Sequence, residues 1–205
     1  MTRAEAIKLV VSCLKDELVV HANGMICRES FAVKDRPENF YMIGSMGLAS
    51  SIALGLAISR PDRRVVVFDG DGNVLMNLGG LAQVGHLRPR NLFHIVFDNE
   101  AYGSTGGQKT ISGSLRLEEV AKAAGYAVAE RVEMGGAYCN TPLLVEAVRR
   151  HLHSEGPTFL LVKVEAREEG EAPRVPYPPE TIRDRFMTCL LKRDQRWKSS
   201  GQGMR

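Results

Sequence analysis

The 205-residue chain predicts an α/β fold, a parallel sheet with helices on both faces. Three observations lead there. Short β-branched runs such as Val65-Val66-Val67-Phe68 and Thr158 to Val164 are apolar without alternation, as in strands buried on both sides. Stretches of helical period separate them, in the alternating order of a parallel sheet. Turns rich in Gly, Asp and Asn close the strands, where a parallel sheet gathers its loops.

In chain order, Ala6, Ile7, Val10, Val11 and Leu14 give one face to an opening helix over Arg3 to Leu14. Leu18-Val19-Val20 is a short strand ended by His21-Ala22-Asn23-Gly24, and Cys27-Arg28-Glu29-Ser30 starts a short helix. Asn23 and Arg28 lie at the edge that Gly44 and Asp71 share and can reach a substrate, although a turn Asn and a surface Arg are the simpler reading. After the turn Arg36 to Asn39, the strand Phe40 to Ile43 feeds Gly44-Ser45-Met46-Gly47 and an apolar helix from Leu48 to Ile58.

The central strand enters the turn Asp69-Gly70-Asp71-Gly72. A helix is expected from Asn73 to Leu87, with Leu75, Leu78, Leu81, Ala82 and Gly85 on one side, followed by a second buried strand, Leu92 to Phe97. Neighbouring parallel strands would then bring Asp71 and Asn99 to one point. Both offer oxygen, which suits a hard cation such as Mg²⁺, and Gly70 and Gly72 let the backbone approach an anion. A diphosphate bridged by Mg²⁺ fits such a site.

The polar stretch Glu100 to Ser114 reads as an irregular flap, with Ser104, Thr105 and Gln108 near diphosphate or substrate. Helix Leu117 to Ala124, strand Tyr126 to Val128, helix Thr141 to His151 behind the entry Asn140-Thr141-Pro142, and strand Thr158 to Val164 follow. His151 and His153 read as a solvated cationic helix end, and His86 and His94 as structural. The main domain is expected over residues 1–165. Residues 166–205 form a charged, Pro-rich arm, a terminal helix over Ile182 to Leu191 and a flexible tail from Lys192.

An apolar content of 44% and a charged content of 25% are those of a soluble globular protein. A formal charge of +3, without a basic block, argues against nucleic acid. Cys13, Cys27, Cys139 and Cys189 show no zinc or disulfide spacing, and no segment is long and apolar enough to span a membrane, so a cytoplasmic location is expected.

The Gly70-Asp71-Gly72 turn, the spacing to Asn99 and the sequence Asp98-Asn99-Glu100-Ala101-Tyr102-Gly103 resemble the diphosphate motif of thiamine diphosphate (TPP) enzymes. Gly44 to Gly47, with Met46 twenty-five residues before Asp71, resembles the turn beneath the cofactor rings in that family. The resemblance implies metal ligation by Asp71, Asn99 and the Ala101 carbonyl. It implies cofactor contacts from Gly44, Ser45, Met46, Gly70, Asp71, Gly72, Asn73, Asn99, Ala101, Tyr102, Gly103 and Ser104, with the Gly44 carbonyl holding the 4′-amino group and Met46 bending the two rings together. Asp98 departs from the asparagine that many members carry.

More finely, Phe40 to Ile52, the Gly-Asp-Gly helix, Tyr102 to Gln108 and the Pro-rich end with Arg185-Phe186 resemble the sulfopyruvate decarboxylase β-subunit family, and slightly less closely the C-terminal half of phosphonopyruvate decarboxylases. This implies a carboxy-lyase acting on a small anionic 2-oxoacid, with Met46, Gln108 and Lys109 as catalytic candidates. Arg28 and Lys109 are the candidate cations for the substrate; in those relatives position 109 is usually proline. The glutamate that activates the cofactor lies on a separate pyrimidine-binding domain in the family, so a hetero-oligomer with an α subunit supplying that Glu is expected. A 2-oxoacid enzyme of the acetolactate synthase type and a non-catalytic TPP-binding module are the alternatives.

Overall fold

The computed structural model describes residues 1–133, 141–166 and 172–199. Its centre is a six-stranded, wholly parallel sheet in the order β2-β1-β3-β4-β8-β7, built from β1 (Leu18–His21), β2 (Asn39–Tyr41), β3 (Val65–Gly70), β4 (Leu92–Asp98), β7 (Val128–Glu133) and β8 (Thr158–Lys163). Every residue of β1 and β4 is buried, which is why these strands read as unbroken apolar runs. Helices α1 (Arg3–Cys13), α2 (Met25–Val33) and α7 (Thr141–His153) pack together in one group. Helices α3 (Ala49–Ser59), α5 (Gly79–Leu87) and α6 (Leu117–Ala124) form another. A capping box closes the start of α1, where Thr2 and Glu5 satisfy each other's backbone N–H groups.

The strand order fixes where a ligand can sit. From β1 the chain moves outward to β2, whereas from β3 it moves the other way to β4, so the loops after β1 and β3 diverge and leave a crevice at the carboxyl edge. Register places Gly70 beside Phe97 and Asp98 beside Lys163, setting the ends of β3, β4 and β8 level.

Several expectations change. The single helix over residues 73–87 is two, α4 (Asp71–Met76) and α5, because Asn77 leaves helical geometry and its side-chain amide donates to the Gly47 carbonyl at 3.1 Å. Ala82 is exposed, and Val84 takes its place in the core beside Leu81. The strand placed at Tyr126 to Val128 runs instead over β7, since the Tyr126 ring is buried against Phe159 and the Ala127 N–H donates to the Pro157 carbonyl before pairing begins.

The stretch from Glu100 to Ser114 is not irregular. It contains an antiparallel ribbon, β5 (Ala101–Tyr102) with β6 (Gln108–Lys109), and two short 3₁₀ turns. His151 is not solvated: it is 1% exposed, stacked on Phe93, and burial lowers its pKa from 6.5 to about 4. His94 is buried as expected, and His86 is exposed.

The C-terminal segment does not end as a loose tail at Lys192, because α8 (Pro179–Ser199) continues through it. Its Ile182, Phe186 and Leu190 are buried, with Phe186 against Phe40. The arm before it is pinned by Asp35, whose carboxylate accepts from Tyr41 (3.2 Å), Tyr177 (2.9 Å) and Arg185 (2.7 Å), while Arg185 lies 4.2 Å from the centre of the Tyr177 ring. Cys139 and Asn140 lie outside the described residues. Among the described residues no helix is long and apolar enough to cross a membrane.

Candidate functional site

A narrow cleft of about 60 Å³ opens at the divergence point of the sheet. The ends of three adjacent strands build it: Ala22 and Asn23 after β1, Gly70 to Asn73 at the end of β3, and Asn99 with Ala101 to Ser104 after β4. Of the residues expected at a cofactor, Met46, Gly70, Asp71, Gly72, Asn73, Asn99, Ala101, Tyr102, Gly103 and Ser104 line it together. Gly44 and Ser45 do not. They border a neighbouring groove with Phe40, Ile52 and Ile182. Gln108 and Lys109 lie on the exposed ribbon and line none of these hollows, since the Gln108 side chain folds back onto Thr105.

Asp71 is 2% exposed, and its Oδ2 accepts from the Thr110 hydroxyl at 2.5 Å and from the Ser112 hydroxyl at 3.1 Å. Burial pushes its carboxyl pKa up, the Thr110 hydrogen bond pulls it down, and the nearby Asp98 carboxylate pushes it up again. The two hydroxyls fix one carboxylate oxygen. Asn99 turns its Oδ1 to the Ala101 N–H at 3.2 Å, an Asx turn that orients the 99–101 backbone. Asp71, Asn99 and the carbonyl of Ala101 thus border one cleft with oxygen donors, a set that suits Mg²⁺. Among the described residues, no group of three His, Cys, Asp or Glu side chains gathers to hold a metal.

Asp98, the departure noted in the sequence, does not stand as a lone charge. Lys163 reaches it from β8 at 3.0 Å, and Ser112 donates to it at 2.8 Å. Burial disfavours the Lys163 charge, but its hydrogen bonds to Glu100 and Asp98 raise its pKa on balance. Thr110, Ser112 and Lys163 escaped the sequence reading because their spacing to Asp71 follows from the ribbon and the β4–β8 register rather than from any local motif.

Two further features shape the cleft. A Cβ on Gly72 would lie 2.5 Å from the Tyr102 ring, so only glycine allows that ring to close over the turn. Asn73 links the two motifs: its amide donates to Asp69 at 2.6 Å and its carbonyl oxygen accepts from the Gly47 N–H at 2.7 Å. Asp69 in turn accepts from His94 Nε2 at 3.0 Å, and His94 Nδ1 meets the Tyr126 hydroxyl at 3.2 Å. Gly47 has φ of +95°, and Ser45 has φ of 58°, so this loop holds a conformation that costs a non-glycine residue energy.

Arg3 also lines the cleft, but it makes a two-pronged buried ion pair with Glu29, at 2.8 and 2.9 Å. Asn23 Oδ1 is buried and finds no hydrogen-bond partner. A buried amide oxygen without a donor suits a ligand group that brings one.

Comparison with known proteins places this geometry. The family model described as thiamine pyrophosphate enzyme, C-terminal TPP binding domain, matches residues 23–162. The chain is 40% identical over 192 residues to the sulfopyruvate decarboxylase subunit beta of Methanococcus maripaludis, covering 94% of this chain and 99% of that protein. It is 38% identical over 186 residues to a phosphonopyruvate decarboxylase of Streptomyces viridochromogenes, covering 90% of this chain and 45% of that longer protein. Among solved structures, benzoylformate decarboxylase of Polynucleobacter necessarius shares the fold with a TM-score of 0.69 at 19% identity, over 83% of this chain. The chain spans only about a third of that structure, 34%.

Proposed function

The chain belongs to the thiamine pyrophosphate enzymes, carrying their C-terminal TPP-binding domain, and from that premise we propose that it is the diphosphate-binding β subunit of a TPP- and Mg²⁺-dependent 2-oxoacid decarboxylase that converts 3-sulfopyruvate to sulfoacetaldehyde and CO₂. The observation that carries the reading is the meeting, in one cleft, of Met46, the Gly70 to Asn73 turn, Asn99 and the Ala101 to Ser104 segment. The near-complete alignment with a protein named as a sulfopyruvate decarboxylase subunit selects the substrate.

In this reading Asp71, Asn99 and the Ala101 carbonyl hold Mg²⁺, and Thr110 and Ser112 orient Asp71. The Gly70 to Asn73 turn borders the diphosphate. Met46 and the loop held by Asn73 support the rings. When bound, TPP supplies the nucleophilic carbon and the electron sink for loss of CO₂. Arg3, neutralised by Glu29, borders the diphosphate end without adding free charge.

No glutamate lines the cleft among the described residues. The group that activates the pyrimidine ring is therefore assigned to an α subunit, in a cytoplasmic hetero-oligomer. In support, the chain matches the whole of a protein named as a subunit but less than half of the longer phosphonopyruvate decarboxylase.

The test is CO₂ release from sulfopyruvate and from phosphonopyruvate, with Mg²⁺ and TPP, by this chain alone and with a candidate α subunit. Turnover of sulfopyruvate only in the mixture is expected. Turnover of phosphonopyruvate alone, or of neither in a complex that binds TPP, overturns the substrate and keeps the cofactor.

A further inference from the structure

Beside the cofactor cleft, and sharing Asn23 and Ser104 with it, lies a wider cavity of about 490 Å³. Its volume is in the range of small-molecule sites, roughly 300–1,000 Å³. Two guanidinium groups border it, Arg28 from α2 and Arg174 from the arm, with Tyr177 beside them. Among the described residues no carboxylate lines it. Among the described residues neither arginine makes an ion pair; Arg28 has only the Met25 sulfur, at 4.0 Å. Asp35, under the arm, is already occupied by Tyr41, Tyr177 and Arg185.

Elsewhere in the molecule the buried and half-buried cations find acceptors within the chain: Arg36 donates to the carbonyls of Lys15 and Glu17, and Arg64 to that of Ser154. Arg3 is matched to Glu29, Lys163 to Asp98 and Glu100, Arg150 to Glu130, and Arg185 to Asp35. Two arginines that meet no carboxylate among the described residues, on one cavity beside the cofactor cleft, suit an anionic ligand. Arginine presents a planar fork of donors that suits the oxygens of a tetrahedral anion. Lys109, the other candidate cation, is exposed on the ribbon and borders no part of this cavity.

We infer that this cavity seats the tetrahedral anionic head group, sulfonate or phosphonate, on C3 of the 2-oxoacid, with Arg28 and Arg174 as the specificity-determining residues. The inference rests on the proposed decarboxylase reading. It gives the Pro-rich arm a function: the arm carries the second guanidinium to the substrate, and the Asp35 clasp holds it there. The reacting carbonyl then lies toward Asn23 and Ser104, where the two hollows join.

The test uses the complete complex with its α subunit, Mg²⁺ and TPP, and the probe 3-sulfopropanoate, a dianion that lacks the keto group and cannot be decarboxylated. Calorimetry should show it binding at least about tenfold more tightly than propanoate, the gain expected of charge-assisted hydrogen bonds. Arg28→Ala and Arg174→Ala should each erase most of that preference while leaving TPP affinity unchanged, and Arg174→Lys should restore part of it. An equal preference in both alanine variants overturns the inference. A parallel titration with 3-phosphonopropanoate assigns the head group: tighter, arginine-dependent binding of the phosphonate supports the seat and makes it a phosphonate site. Arginine-dependent binding in a complex that fails to decarboxylate sulfopyruvate upholds the seat and defeats the proposed reaction. Unaltered sulfopyruvate turnover in both variants does the reverse.

Discussion

The two adjoining hollows are built on opposite principles. The cofactor cleft is tight, lined by glycines and oxygen atoms, and every charged side chain that borders it is held by a partner: Asp71 by two hydroxyls, Arg3 by Glu29. The neighbouring cavity is wider, about 490 Å³ against about 60 Å³, and among the described residues its two arginines make no ion pair. In the proposed reading the first takes a ligand of fixed shape, whose phosphates and metal need atoms already in place, and the second takes an anionic substrate that completes its charge. On that reading the difference separates holding a cofactor from choosing a substrate.

The largest expected effect tests that separation directly. Asp71→Ala should remove Mg²⁺-dependent TPP binding, with a loss of roughly a hundredfold or more, since even outer-shell partners of a metal are worth about 10–100-fold. Calorimetry with TPP and Mg²⁺ checks it. Unchanged binding would dissolve the contrast by showing that the cleft is not the metal site.

Gly72→Ala comes next. The added methyl meets the Tyr102 ring at 2.5 Å, and such overpacking costs about 1–3 kcal/mol, so TPP affinity should fall roughly tenfold. Pairing it with Tyr102→Ala should recover part of the loss. If the single variant binds TPP normally, the closure of Tyr102 over the turn is not what shapes the cleft.

Asp35→Ala attacks the other side. Loss of the clasp on Tyr177 and Arg185 should loosen the arm and lower kcat/KM for sulfopyruvate about fivefold, the scale of one net hydrogen bond, without altering TPP affinity. Steady-state kinetics of the complex with its α subunit, set beside TPP titration, separates the two outcomes.

The smallest effect lies outside both hollows. Burial lowers the pKa of His21 from 6.5 to about 3 and that of His151 to about 4. The unfolded chain takes up these protons near pH 6.5 and the folded chain does not, so stability is complete above about 6.5 and declines as pH falls toward about 4. His151→Phe, which preserves an aromatic stack on Phe93, should flatten that acid slope in denaturant melts while TPP affinity at neutral pH stays the same.

The parallel sheet and the cofactor cleft were legible in the sequence for a shared reason. Strands buried on both faces show as apolar runs, and the turns that follow neighbouring strands meet at one edge, so the convergence of Asp71 and Asn99 on one cleft can be read from their places in the chain. What could not be read depended on contacts between distant segments. Thr110 and Ser112 reach Asp71 only because the 101–109 stretch folds into a ribbon. Arg174 shares a cavity with Arg28 because the arm, clasped by Asp35, lies beside α2, and Lys109, attractive by charge alone, lies on the exposed ribbon and does not line that cavity. His151 looked solvated because its neighbours Arg149 and Arg150 are charged. Helical period, which turns it onto Phe93, decides instead.

The arm has one further consequence. Arg174 lies beyond residues 23–162, the stretch matched by the family model, whereas the metal and diphosphate residues lie inside it. Of the two arginines assigned to the head group, Arg28 lies inside that stretch and Arg174 outside it, so under the proposed seat a change confined to the proline-rich arm would alter the hold on the acid while leaving every metal and diphosphate residue untouched.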